Sequence, residues 1–217
     1  MSSAAVAVLF LSLSANWQVL GTSKRAWVDS STRRTFLAVP LCSPALLGGC
    51  RVARASDGQP VVSDDGRWSF CPGSDFEPSP PLLKTHAGEV RYAYKGPRAT
   101  DWKYFRAGVT VDPVRIDSLA AFDTATGVGE RVAKVERAKD GNIDVLLESA
   151  VEDAPYYRLR YVVQSAERGK KRYISRIAIA DGRLIVLTVE GYVRYWDDDV
   201  ERIAGKIVDS FEVPGAK

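Results

Sequence analysis

Histidine occurs once in these 217 residues and cysteine three times. The lone His86 has no second histidine or cysteine near it in sequence, which argues against zinc-type ligand spacings and makes a catalytic base the lesser reading. Following a proline-rich stretch, it is expected to be an ordinary exposed loop residue. No apolar run reaches the roughly 20 residues needed to cross a bilayer. The two longest, residues 4–13 (AAVAVLFLSL) and 36–49, fall short, and the second is broken by Pro40 and Pro44. Nucleophile elbows and phosphate loops are also missing; Gly127-Val128-Gly129 is an isolated fragment at a helix start. The chain is therefore expected not to be an enzyme.

Acidic residues are nearly absent from the first quarter. Residues 1–55 hold one, Asp29, against six bases (Lys24, Arg25, Arg33, Arg34, Arg51, Arg54). The remainder carries 24 basic and 26 acidic residues, so the overall +3 belongs to the leader and the body is near neutral at −2. That argues against nucleic acid as a partner, since phosphate binding needs a concentrated cationic surface.

What the leader does contain has the order of targeting signals. The run 4–13 suits a signal-peptide core. Arg33-Arg34 then precedes Thr35-Phe36-Leu37, a weakly apolar stretch and the small-x-small site Ala53-Arg54-Ala55, as in a twin-arginine export signal. Residues 47–50 (LGGC) offer a rival: a bacterial lipobox that would place a lipid on Cys50. Cleavage after Ala55 removes Cys42 and Cys50 and leaves Cys71 alone, so the mature chain can form no internal disulfide. Cys71 is expected to be a small buried residue. The expected organisation is a targeting presequence over 1–55, a flexible lead-in over 56–66 and one domain over 67–217.

Within that domain the alternation predicts strands at 67–71, 89–94, 104–111, 143–149, 156–165, 172–180 and 184–189. Residues 74–84, with Pro78, Pro80 and Pro81, are expected to be a loop. Asp181-Gly182 fits a two-residue hairpin turn. The run LIVLTV (184–189) is apolar on both faces and should lie centrally in a sheet. Val128, Val132 and Val135 give a helix from about Thr124 to Asp140-Gly141. Val200, Ile203, Ala204, Ile207, Val208 and Phe211 form one stripe of a last helix. These elements predict an α+β fold, a central antiparallel sheet sandwiched by helices.

Two charged groups are candidates for more than solubility. Asp197-Asp198-Asp199 reads as a helix cap, because successive residues there cannot converge on a metal ion. Arg168, Lys170, Lys171 and Arg172 are the densest cations of the mature chain. They are expected to form a docking patch for an acidic protein surface, with the charged edge of a soluble hairpin as the alternative. On the docking reading, reversal of Lys170, Lys171 and Arg172 leaves folding intact and abolishes attachment.

The run PYYRLRYVVQSAERGKKRYISRIAIADGRLIVLTVEG (155–191), followed by a tryptophan and a helix closing in DSFEV, resembles the PsbP family of thylakoid lumen proteins. LAAFDTATGVGERVAKV (119–135) resembles that family's helix entry, and Trp68-Ser69-Phe70 its opening strand. The resemblance spans residues 67–213. It implies a non-enzymatic extrinsic protein, peripheral on the lumenal side of a photosystem I or photosystem II core, acting in stabilisation or assembly. The twin arginines then serve as a thylakoid lumen address, and the extra run 4–13 as a sign of a secondary plastid. Calcium is the one cofactor implied, and the alternative function is a lumenal small-ligand or calcium- and ion-binding module, using the cleft between the sheet and the loop over residues 78–86. A bacterial twin-arginine lipoprotein of the same fold is the other. A histidine associated with metal in oxygen-evolving members has no counterpart in Lys171-Arg172-Tyr173-Ile174, and the lead-in is shorter than the one those members use to retain calcium and chloride.

Overall fold

The computed structural model describes residues 58–80, 86–100, 102 and 104–217. Arg33, Arg34, Ala53 and Ala55, expected to act in targeting, lie outside the described residues with Cys42 and Cys50. Among the described residues nine strands, β1 (Val61–Val62), β2 (Ser69–Phe70), β3 (Phe76–Ser79), β4 (Gly88–Tyr94), β5 (Arg106–Pro113), β6 (Asn142–Asp153), β7 (Tyr156–Ser165), β8 (Gly169–Ala180) and β9 (Arg183–Tyr192), accompany two α-helices, α1 (Ala125–Arg137) and α2 (Asp198–Asp209). Strands β3 to β9 make one seven-stranded sheet in the order β3-β4-β5-β9-β8-β7-β6, every pairing antiparallel. The expected α+β fold is therefore the observed one.

After β5 the chain crosses one face through α1 to the far edge, then meanders back through β6, β7 and β8. Strand β9 closes the sheet by pairing with both β8 and β5. This placement explains its apolar run: Leu184, Val186 and Leu187 are each no more than 1% exposed, covered from both sides. The turn before β9 uses Asp181 (φ 50°) and Gly182 (φ 67°), the paired left-handed conformations that match strand twist.

The sheet separates two cores. On one face α1 inserts Val128 and Val132 against Leu159, Tyr161, Ile177 and Ile179. On the other, α2 inserts Val200, Ala204, Ile207 and Val208 against Ile174, Ala178, Leu187 and Val189, with Phe211 just beyond its end. Both helices start as their sequences dictate. The Thr124 side chain accepts the Gly127 N–H, and Asp197 accepts the Val200 N–H at 3.0 Å.

Three expectations need correction. The proline-rich stretch 74–84 contains strand β3, because a sheet edge tolerates Pro78, whose missing N–H breaks no interior ladder. The lead-in 56–66 contains β1, which pairs Val61 with Phe70 and Val62 with Ser69, so ordered packing begins earlier than composition suggested. Strand β6 is 12 residues long and occupies the opposite edge. Its Ile143, Leu146 and Val151 side chains are more than half exposed.

Candidate functional site

The cluster Arg168, Lys170, Lys171 and Arg172 is split by the period-two geometry of a strand. Lys171 points to the α1 face and is buried. Its ammonium lies 3.4 Å from a Glu190 carboxylate oxygen, with both side chains 8% exposed. The rings of Tyr104 and Tyr192 flank it at 5.8 and 5.5 Å. Arg172 points to the α2 face, donates to Glu148 at 2.7 Å and lies over the Trp196 ring at 5.5 Å. Lys170 is exposed on that same face, and Arg168 is exposed at the hairpin tip. The four cations therefore form no single patch, and reversing Lys171 or Arg172 would break internal ion pairs.

What the fold assembles instead is a tyrosine–arginine face at one end of the sheet. Pairing sets Glu190 between Arg106 of β5 and Tyr173 of β8, and Tyr192 beside Lys171, on the α1 face. The Tyr104 and Tyr192 rings meet edge-on at 5.2 Å, and Tyr192 meets Tyr195, in the 3-10 turn Val193–Tyr195, at 6.5 Å. The Arg106 guanidinium lies 5.4 Å from the Tyr104 ring. That of Arg194 lies 5.2 and 4.6 Å from the rings of Tyr192 and Tyr195. Among the described residues neither arginine has an ion-pair partner, whereas most arginines elsewhere do. Arg168 belongs to this end too, since its charge acts on Tyr192. Burial raises the pKa of the Tyr192 hydroxyl, helped by Tyr104 and opposed by Arg194 and Arg168, so it remains a donor at neutral pH.

Tyr104 holds φ at 77°, a left-handed conformation that a bulky side chain rarely adopts. Such strain persists where surrounding structure enforces it, often at sites of function. The cluster carried no sequence signal, because Tyr104 reaches Tyr192 only through the pairing of β5 with β9.

The other candidates resolve into structural roles. Asp197 caps α2 and pairs with Arg98 at 2.7 Å, while Asp199 pairs with Arg202 at 3.1 Å. His86 departs from its expected exposure: its side chain is 1% exposed and its Nδ1 lies 2.9 Å from Asp112 Oδ2. Residue 86 precedes β4, and the opposing end of β5 supplies the carboxylate. Cys71 is half-buried, not buried: it lies just beyond the last residue of β2, where its backbone N–H donates to the Ser210 hydroxyl at 2.8 Å. Among the described residues no three His, Cys, Asp or Glu side chains converge as metal ligands, and no helix is long and apolar enough to cross a membrane.

A seven-stranded antiparallel sheet with one helix on each face, and a cation–aromatic end, defines an α+β sandwich. The PsbP family profile matches residues 105–213, and the chain belongs to the PsbP family. Members of that family are generally non-enzymatic and associate with photosystem complexes on the lumenal side. The solution structure of cyanobacterial PsbP (CyanoP) from Synechocystis sp. PCC 6803 is similar with a TM-score of 0.57 at 21% identity, covering 77% of this chain and 98% of that one. The Ran-binding protein Mog1p of Saccharomyces cerevisiae shares the fold at 7% identity and a TM-score of 0.51, covering 73% of this chain and 96% of its own. No curated protein matches the chain in sequence.

Proposed function

We propose that this chain is a non-catalytic extrinsic protein of the thylakoid lumen that docks on the lumenal face of a photosystem, stabilising the complex or helping it assemble. The tyrosine–arginine end is the docking face. The observation that carries the reading is the contrast between arginines. Those along β7 and β8 are consumed by internal carboxylates, whereas Arg106 and Arg194 rest on tyrosine rings and keep donors for an outside partner. Tyrosine and arginine are the side chains that most often dominate binding energy at interfaces. Family membership supports the compartment and the kind of complex.

Mass spectrometry of photosystem complexes purified from native membranes tests the role. The expected result is this protein in one complex, with a mature N-terminus at Ser56. Its recovery away from every photosystem would overturn the reading. Charge reversal tests the face: Arg106→Glu with Arg194→Glu should release the protein from washed thylakoids, while Lys170→Glu should not. Equal retention of all variants would reject the face.

A further inference from the structure

The described residues enclose a cleft of about 660 Å³ between the β1–β2 hairpin and the sheet strands β4, β5 and β9. This is within the range of pockets that hold small organic ligands. Its floor is apolar: Trp68 from the hairpin, Val90 and Tyr92 from β4, Val111 from β5 and Ile185 from β9. Val90, Tyr92 and Val111 are only half-buried, because helix α2 lies over β8 and β9 and leaves this part of the face to the short hairpin. Gly88 deepens the cleft. A Cβ at that position would meet nothing closer than Val111, at 3.5 Å, so the space is left by an absent side chain and not enforced by backbone.

The mouth is polar. Asp65 joins the hairpin turn to the sheet, its carboxylate 3.0 Å from Arg67 Nε and 3.6 Å from Arg183 Nη1. The same carboxylate accepts the Ser63 hydroxyl at 2.9 Å and the Arg67 N–H at 3.3 Å, so its acceptor sites are full. Two guanidinium groups thus share one saturated carboxylate and retain forked donors beside an apolar floor. With Asp64 exposed at the turn tip and Glu89 paired to Arg91, the mouth carries no excess of positive charge, so an anionic head is held by the unfilled guanidinium donors and a single charge suits it better than two.

We infer that this cleft binds a small monoanionic amphiphile: a ring or single chain seated on Trp68, Tyr92 and Val111, with a carboxylate or sulfonate head held by Arg67 and Arg183. A forked guanidinium matches the two oxygens of such a head. The inference is independent of photosystem docking, which uses the other face and other residues.

Anilinonaphthalene sulfonate tests it on the full chain, read by energy transfer from tryptophan, with the uncharged phenylnaphthylamine as its near-isosteric control. The native protein should bind the sulfonate saturably at one site and release it to decanoate. Gly88→Leu, which fills the cleft, should abolish binding of both probes. Arg67→Met with Arg183→Met should weaken the sulfonate at least about ten-fold, the loss expected for charge-assisted hydrogen bonds, and leave the neutral probe unchanged. Circular dichroism and melting confirm that each variant is folded; Gly88→Ala, with a smaller side chain, gives a graded second test should the leucine fail. Unchanged binding in the folded Gly88 variants would overturn the cleft, and equal loss of both probes in the arginine variant would overturn the anionic head.

Discussion

Lys170 and Lys171 are neighbours of identical chemistry in opposite circumstances. The first is exposed; the second is buried against Glu190 and two tyrosine rings. Removing Lys171 leaves a buried carboxylate without its counter-charge, at a cost of about 3 kcal/mol. Lys171→Ala should therefore lower the urea-unfolding free energy by that amount, while Lys170→Ala changes it by less than about 0.5 kcal/mol. A Lys171→Met, Glu190→Met double variant should recover most of the loss, since paired apolar groups leave no charge stranded. The cluster of cations was legible in the sequence, but its division between faces was not. Glu190 is distant along the chain and becomes a partner only through the β8–β9 register. His86 was misjudged for the same reason, because Asp112 reaches it across strands.

At the scale of the element, α2 is fastened to the sheet by a charged network. Arg160 holds both carboxylate oxygens of Glu201, at 2.6 and 2.7 Å, and also reaches Glu148 at 2.8 Å. The Trp196 indole N–H donates to Glu201 at 2.6 Å, and Arg176 lies 3.3 Å from the carbonyl oxygens of Val208, Asp209 and Phe211 at the helix end. Burial alone would raise the pKa of Glu148 and Glu201. The hydrogen bonds from Arg172 and Arg160 to Glu148, and from Arg160 and Trp196 to Glu201, outweigh it and hold both below the usual carboxylate range. The Val200 N–H does the same for Asp197.

A carboxylate with a lowered folded pKa stabilises the fold above its ordinary value, about 4, and loses that contribution as pH falls through the lowered one. Acid titration should thus loosen α2, reported by Trp196 fluorescence, and Glu201→Gln should weaken the pH dependence. Arg160→Ala should cost about 1 kcal/mol at neutral pH, a modest value because the pair is partly exposed to solvent. Helix starts were legible, since Thr124 and Asp197 are capping residues that act through their own backbone. Strand β3 was not, because proline excludes only central strands and the sequence does not say which strand lies at an edge.

Across the whole molecule, two apolar layers hold one sheet, so damage to either should unfold the domain as a unit. Phe211 is fully buried where α2 ends, and Phe211→Ala should lower stability by about 4 kcal/mol. Cooperative loss of structure, with far-ultraviolet dichroism and tryptophan fluorescence tracing one transition, is the expected outcome. The sandwich itself was legible because alternation and helical stripes are local patterns that agree with the global fold. The resemblance of residues 67–213 to PsbP proteins rested on short motifs in order, and the profile match over 105–213 bears it out. The proposed docking face was not legible, because no single segment carries it.

The two margins of the sheet are unequal. One is the four-residue β3 with Pro78 in it; the other is the long β6, set with exposed isoleucine, leucine and valine. Growth of a polymer by strand addition requires a receptive rim at each end of every unit. With one rim blunted and one receptive, two copies joining through β6 consume the receptive rim of each, and crowding by that route stops at a pair instead of propagating into a fibre.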